Sequence, residues 1–144
     1  MDANNRIHGT CVARDSAGVL ILGPSGSGKS DLALRLIGRG FDLVADDQID
    51  LDDGVARAPE ALAGLLEVRG VGIVRLPYLS RIKVKLVIAL TDRIERLPEP
   101  ETHQALGVPV VRVDAASASA PDRVALALDC ALGRVTQHAG AFAA

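Results

Sequence analysis

The sequence predicts an α/β domain built on a mixed sheet. A glycine-rich loop sits between an apolar strand and a helix, further β-rich runs follow, and a second apolar helix closes the chain. The 144 residues are 49% hydrophobic and 24% charged, which suits a single domain over residues 1–144 with one aliphatic core. Only 2% are aromatic, so Val, Ile, Leu and Ala must fill that core. A net charge of −2 and three scattered rings (Phe41, Tyr78 and Phe142) argue against a nucleic-acid partner that needs a basic face or a stacking platform. With no charged-then-apolar leader and no apolar run of spanning length, neither secretion nor a membrane role is expected. Cys11 and Cys130 lie far apart without metal-ligand spacing, and core packing in a reducing cytoplasm fits both.

Residues 6–13 (RIHGTCVA) and 19–22 (VLIL) are rich in β-formers. Arg14-Asp15-Ser16-Ala17-Gly18 between them has turn chemistry, which predicts a hairpin pairing Ala13 with Val19. Residues 29–38 place Leu32, Leu34, Leu36 and Ile37 in a helical setting, and Gly40 ends it. Phe41-Asp42-Leu43-Val44-Ala45 reads as a strand returning parallel to residues 19–22, followed by an acidic stretch through Asp53. In residues 65–74 (LLEVRGVGIV), Glu67 and Arg69 share a strand face at spacing two, with a surface pair on a hairpin as the competing reading. Residues 82–90 (IKVKLVIAL) form the strongest later strand, and residues 110–113 a shorter one. Ser119-Ala120-Pro121-Asp122 starts the last helix, whose apolar face is Val124, Leu128, Ala131, Leu132 and Val135.

The loop Gly23-Pro24-Ser25-Gly26-Ser27-Gly28-Lys29-Ser30 satisfies G-x-x-x-x-G-K-[ST] between a strand and a helix, the setting in which that pattern binds phosphate. Glycines let backbone N–H groups curl around phosphate oxygens, and the helix N-terminus adds its dipole. Lys29 supplies a mobile positive charge, and the Ser30 hydroxyl can ligate Mg²⁺. No G-x-G-x-x-G pattern supports a dinucleotide site. The parallel return strand puts Asp46 and Asp47 at the loop's edge of the sheet, where carboxylates can hold Mg²⁺ or accept a proton from an attacking hydroxyl. A solvated acidic turn is the competing reading, because Asp50, Asp52 and Asp53 follow. The hairpin register sets His8 opposite about residue 24, at the mouth of the loop.

Together, His8, GPSGSGKS at 23–30, LVADD at 43–47 and LLEVRGVGIV at 65–74 resemble the catalytic domain of the HPr kinase/phosphorylase family, in a short bacterial form. The resemblance spans about residues 4–114 and implies a phosphate-loop kinase fold. It implies a protein-serine kinase that phosphorylates the phosphocarrier protein HPr with ATP and Mg²⁺. In members that also remove the phosphate, inorganic phosphate attacks phosphoserine at the same site. Residues 23–30 would bind ATP, and Ser30 and Glu67 would ligate magnesium. Asp47 would take the serine proton with Asp46 beside it, while His8, Lys29 and Arg96 would steady the transferring phosphoryl group. The resemblance also implies a homo-oligomer, hexameric by analogy. The chain departs from the family at residues 108–113 (VPVVRV), where members carry a glycine-containing basic loop and only Arg112 keeps a positive charge. Two alternatives stand beside this reading: another phosphate-loop phosphotransferase acting on a small metabolite, and a non-catalytic nucleotide-binding module. A GTPase is disfavoured by the lack of an N-K-x-D motif.

Overall fold

A computed structural model describes residues 5–143. The chain opens with β1 (Arg6–His8), β2 (Thr10–Arg14) and β3 (Ala17–Leu22), then α1 (Lys29–Ile37). β4 (Asp42–Ala45), β5 (Gln48–Asp52) and β6 (Val55–Arg57) follow, and a hairpin of β7 (Leu65–Val68) and β8 (Gly72–Arg75) comes next. The last elements are β9 (Ile82–Leu90), β10 (Val110–Val113) and α2 (Ala120–Ala131). Eight strands form one mixed sheet in the order β1-β5-β6-β9-β3-β2-β4, with β10 also paired to β9. β9 runs parallel to β3 and β10, and the other pairings are antiparallel. Both ends of this path meet at the site, because one residue (Gly9) joins β1 to β2 and two (Asp46 and Asp47) join β4 to β5.

The first hairpin differs from expectation by one residue. Asp15 and Ser16 both take positive φ (54° and 64°), a two-residue turn that pairs Arg14 with Ala17 and therefore Val12, not Ala13, with Val19. Alternation then sends Val12, Val19 and Ile21 to the helix side of the sheet and Cys11, Ala13 and Leu20 to the other. On the helix side they pack with Leu32 and Leu36 of α1 and Val124 and Leu128 of α2. On the other side they meet Ile49 of β5 and Ala56 of β6. Each such fully buried Leu or Ile contributes about 1.5–3 kcal/mol by leaving water. Leu34 lies outside this core at 37% exposure, and Val135 lies beyond the end of α2.

Phe41 closes the helix-side core, with the Arg14 guanidinium 5.0 Å above its ring. Cys11 is fully buried, and loss of water around it pushes its thiol up to about 12, so it packs as a small hydrophobe. Cys130 is half-buried and also free of a disulfide.

The acidic stretch is a strand rather than a turn. Asp53 and Gly54 take positive φ (54° and 79°) and fold β5 onto β6, while Asp50 is held by Arg6 of β1 at 2.7 Å. Arg69 lies in the turn of the β7–β8 hairpin, so it does not share a strand face with Glu67. No helix among the described residues is long and apolar enough to cross a membrane.

Candidate functional site

The loop of residues 23–30 connects β3 to α1 at the C-terminal edge of the parallel strands β3, β9 and β10, where ligands bind in open α/β sheets. Gly26 and Gly28 take φ of +80° and +101°, a region costly for a side chain. At Gly23 the constraint is contact: a Cβ there would lie 2.6 Å from Ser27 Oγ. Gly28 caps α1, so the amides of its first turn point out of the helix end towards the loop. Lys29 curls back, and its Nζ donates to the carbonyls of Gly23 (2.8 Å) and Pro24 (3.0 Å). The ammonium thus braces the loop it serves.

Ser30, in the first turn of α1, donates its hydroxyl to Asp46 Oδ1 at 2.7 Å. Thr10 of β2 donates to the same oxygen at 2.8 Å. Asp46 is buried at 6% exposure, which two hydroxyl donors make tolerable for a carboxylate. β4 is parallel to β3 with β2 between them, and this arrangement delivers Asp46 to the helix start. A serine hydroxyl that donates to Asp46 turns its lone pairs elsewhere. This hard-oxygen donor set suits Mg²⁺.

Asp47 differs from its neighbour in every respect. It is exposed, its φ is +72°, and the Gln48 amide donates across it to the Asp46 carbonyl at 2.8 Å. That geometry is a γ-turn of the rare positive-φ kind. The turn bends the chain without reversing it, so β5 continues along β1 the antiparallel ladder that β4 makes with β2, pairing His8 with Gln48. The Gly9 amide donates to the Asp47 carbonyl at 3.2 Å. His8 therefore reaches the neighbourhood of Asp47 through β1 and β5, not by continuing the β2–β3 hairpin opposite residue 24. The chain leaves that hairpin at Gly9.

Backbone pairing alone brings His8 and Asp47 together, and two further expected participants, Glu67 and Arg96, are not joined to this group by any hydrogen bond or ion pair among the described residues. Glu67 lies exposed on β7 opposite Ile73, in a hairpin whose first strand packs near α1. Arg96 lies exposed in the connection after β9. No group of three or more His, Cys, Asp or Glu side chains among the described residues is arranged as a metal cluster.

Beside the loop is a cleft of about 340 Å³ lined by Pro24, Ser27, Leu90, Thr91, Asp92, Asp114 and Ala115. Sequence reasoning had no signal for it, because its walls come from three strand ends far apart in the chain. Thr10 carries no sequence signal either, since a threonine in a strand reads as a β-former. Only its position opposite Asp46, continuing the Cys11–Ala45 pair, reveals its partner.

The HPr Serine kinase C-terminal domain family matches residues 1–117. The HPr kinase/phosphorylase of Acidovorax sp. (strain JS42) is 41% identical over a region covering 74% of this chain and 40% of the relative. That of Clostridium novyi (strain NT) is 43% identical, covering 72% of this chain and 36% of the relative. The chain thus spans 40% or less of the length of these two relatives. Among solved structures, the HPr(Ser) kinase/phosphatase from Coxiella burnetii superposes with a TM-score of 0.76 at 28% identity, covering 90% of this chain and 97% of that one. Sequence and fold agree, and the chain belongs to the HPr Serine kinase C-terminal domain family.

Proposed function

We propose that this chain is an ATP- and Mg²⁺-dependent protein-serine kinase whose substrate is HPr. The observation that carries the reading is the pairing of Ser30 with Asp46 at the start of α1, with Asp47 exposed one residue on. Family membership and the names of the relatives support HPr as the acceptor. In this reading the loop amides and Lys29 bind the nucleotide phosphates. Ser30 and Glu67 would hold Mg²⁺, with Asp46 fixing the Ser30 hydroxyl, and the cation would supply charge neutralisation at the phosphates.

The chain's own part in the chemistry is positioning and proton transfer, since a loose phosphoryl-transfer transition state asks for little else. Asp47 accepts the proton of the attacking serine hydroxyl. His8, Lys29 and Arg96 stabilise charge on the transferring group, His8 from β1 beside Asp47. Run backwards with inorganic phosphate, the same aspartate returns the proton to the departing serine.

Residues 110–113 form β10, which among the described strands pairs with β9 alone, and Arg112 is ion-paired with Glu101. That one retained charge is committed to a neighbour, which favours the forward, kinase direction. Two free thiols suit a cytoplasmic setting. A hexameric assembly would cover Val71 and Ile73, which are 74% and 70% exposed on the β7–β8 hairpin.

Incubation with HPr, ATP and Mg²⁺ should yield phosphoserine on HPr. Intact nucleotide binding without transfer would overturn the assignment and leave a metabolite kinase or a binding module in its place. The cleft beside the loop contains no aromatic ring to stack a base, so binding energy comes from the phosphates. ATP and GTP should therefore bind with affinities within about tenfold of each other, about 1.4 kcal/mol. A larger preference in a competition titration would count against that.

A further inference from the structure

We propose that Thr10 is a positioning residue of the phosphoryl-transfer site, fixing the Asp46 carboxylate in the orientation that Ser30 requires. The inference rests on the proposed function and extends it to a residue outside the loop and the acidic pair. Thr10 is 0% exposed, in a strand otherwise composed of Cys11, Val12, Ala13 and Arg14. A buried hydroxyl costs stability unless it is bonded, and this one bonds Asp46 Oδ1 at 2.8 Å.

Three features make Thr10 the fixed member of the cluster. It pairs with Ile21 of β3, and β2 is flanked on both sides by β3 and β4. Its branched Cβ restricts χ1. It lies directly across from Asp46, in register with the Cys11–Ala45 pair, so its hydroxyl meets the carboxylate from within the sheet. Ser30 reaches the same oxygen from the helix at 2.7 Å. Asp46 is thereby held between a rigid donor and the donor that serves the nucleotide's cation. Without the first, the carboxylate is free to rotate and the Ser30 hydroxyl loses its fixed acceptor.

The test compares Thr10→Val, which keeps the shape and removes the hydroxyl, with Thr10→Ser, which restores it. The reading is the binding of a fluorescent ATP analogue as Mg²⁺ is titrated, with a parallel measurement in EDTA. Thr10→Val should raise the Mg²⁺ concentration for half-maximal binding about tenfold, the scale of one hydrogen bond to a charged acceptor. Binding in EDTA should stay within about twofold, and Thr10→Ser should return the Mg²⁺ midpoint to that of the unaltered protein. A midpoint unmoved by Thr10→Val, a shift that Thr10→Ser does not reverse, or unaltered protein that binds without regard to Mg²⁺ would each overturn the proposal. Should Thr10→Val unfold, Thr10→Cys, with its weak S–H donor, takes its place under the same criteria. Because HPr is not used, a failure to phosphorylate HPr would overturn the proposed function and leave this inference standing.

Discussion

Asp47→Asn should lower phosphoryl transfer to HPr at least about a hundredfold at saturating ATP and leave nucleotide affinity unchanged, the usual scale for a lost general base. The two adjacent carboxylates are not equivalent. Asp46 is buried, and one of its oxygens already accepts the hydroxyls of Thr10 and Ser30. Asp47 is exposed at the rim, where a serine side chain of a protein substrate can approach it. Its φ of +72° carries a backbone cost of about 1–3 kcal/mol, offset by the β1–β5 pairing that fixes the turn. Asparagine tolerates that conformation as well as aspartate does, so the substitution removes the base and keeps the turn. Single-turnover transfer on pre-bound ATP isolates the chemical step. Transfer within about threefold of the unaltered protein would mean that the serine proton goes to another group.

The loop, α1, β9, β10 and the start of α2 were legible in the sequence because each rests on a local rule. A glycine must sit where φ is positive, an apolar face must repeat at helical spacing, and Pro121 belongs in a first helical turn. What failed depended on turns. Asp53-Gly54 is a strong hairpin signal flanked by alternating residues, yet the density of aspartates around it suggested a solvated stretch. Ile49 alone of β5 is fully buried, so the strand's apolar stripe is too short to stand out. A five-residue turn puts the hairpin register off by one residue, because the turn in the structure uses two. That slip also hid the crossing at Gly9. A buried, small residue there lets the chain leave β3 and pair with β5, where a Cβ would lie 3.1 Å from the Ile21 carbonyl oxygen.

The site was legible in residue type but not in division of labour. Ser30 and Asp46 both stand out by residue type and spacing, and their hydrogen bond follows from the parallel return of β4. That Asp46 is the buried anchor and Asp47 the exposed group is a property of the γ-turn, which no spacing rule encodes. Glu67 and Arg96 mark the opposite case. Their assignment comes from family resemblance, and both side chains lie exposed without a bond to the loop.

Lys29→Met should lower transfer about 10²–10³-fold and weaken ATP binding as well, which separates it from Asp47→Asn. Lys29 has two jobs in the geometry. Its ammonium ties the Gly23 and Pro24 carbonyls together, and in the phosphate-loop motif the same charge serves the bound phosphates. Methionine keeps the stem and removes both the charge and the donors. If bracing were the whole role, the variant would lose thermal stability, and transfer by the folded fraction would stay close to that of the unaltered protein. If charge stabilisation dominates, kcat falls steeply while the melting temperature moves little, because the two carbonyls can turn to water. Arginine discriminates further. It keeps the charge, but its planar fork cannot occupy the compact position between two carbonyls 2.8 and 3.0 Å from Nζ. Lys29→Arg is therefore expected to recover nucleotide affinity but little of the transfer rate. Full recovery by arginine would show that charge alone suffices and that the lysine's place in the loop does not matter.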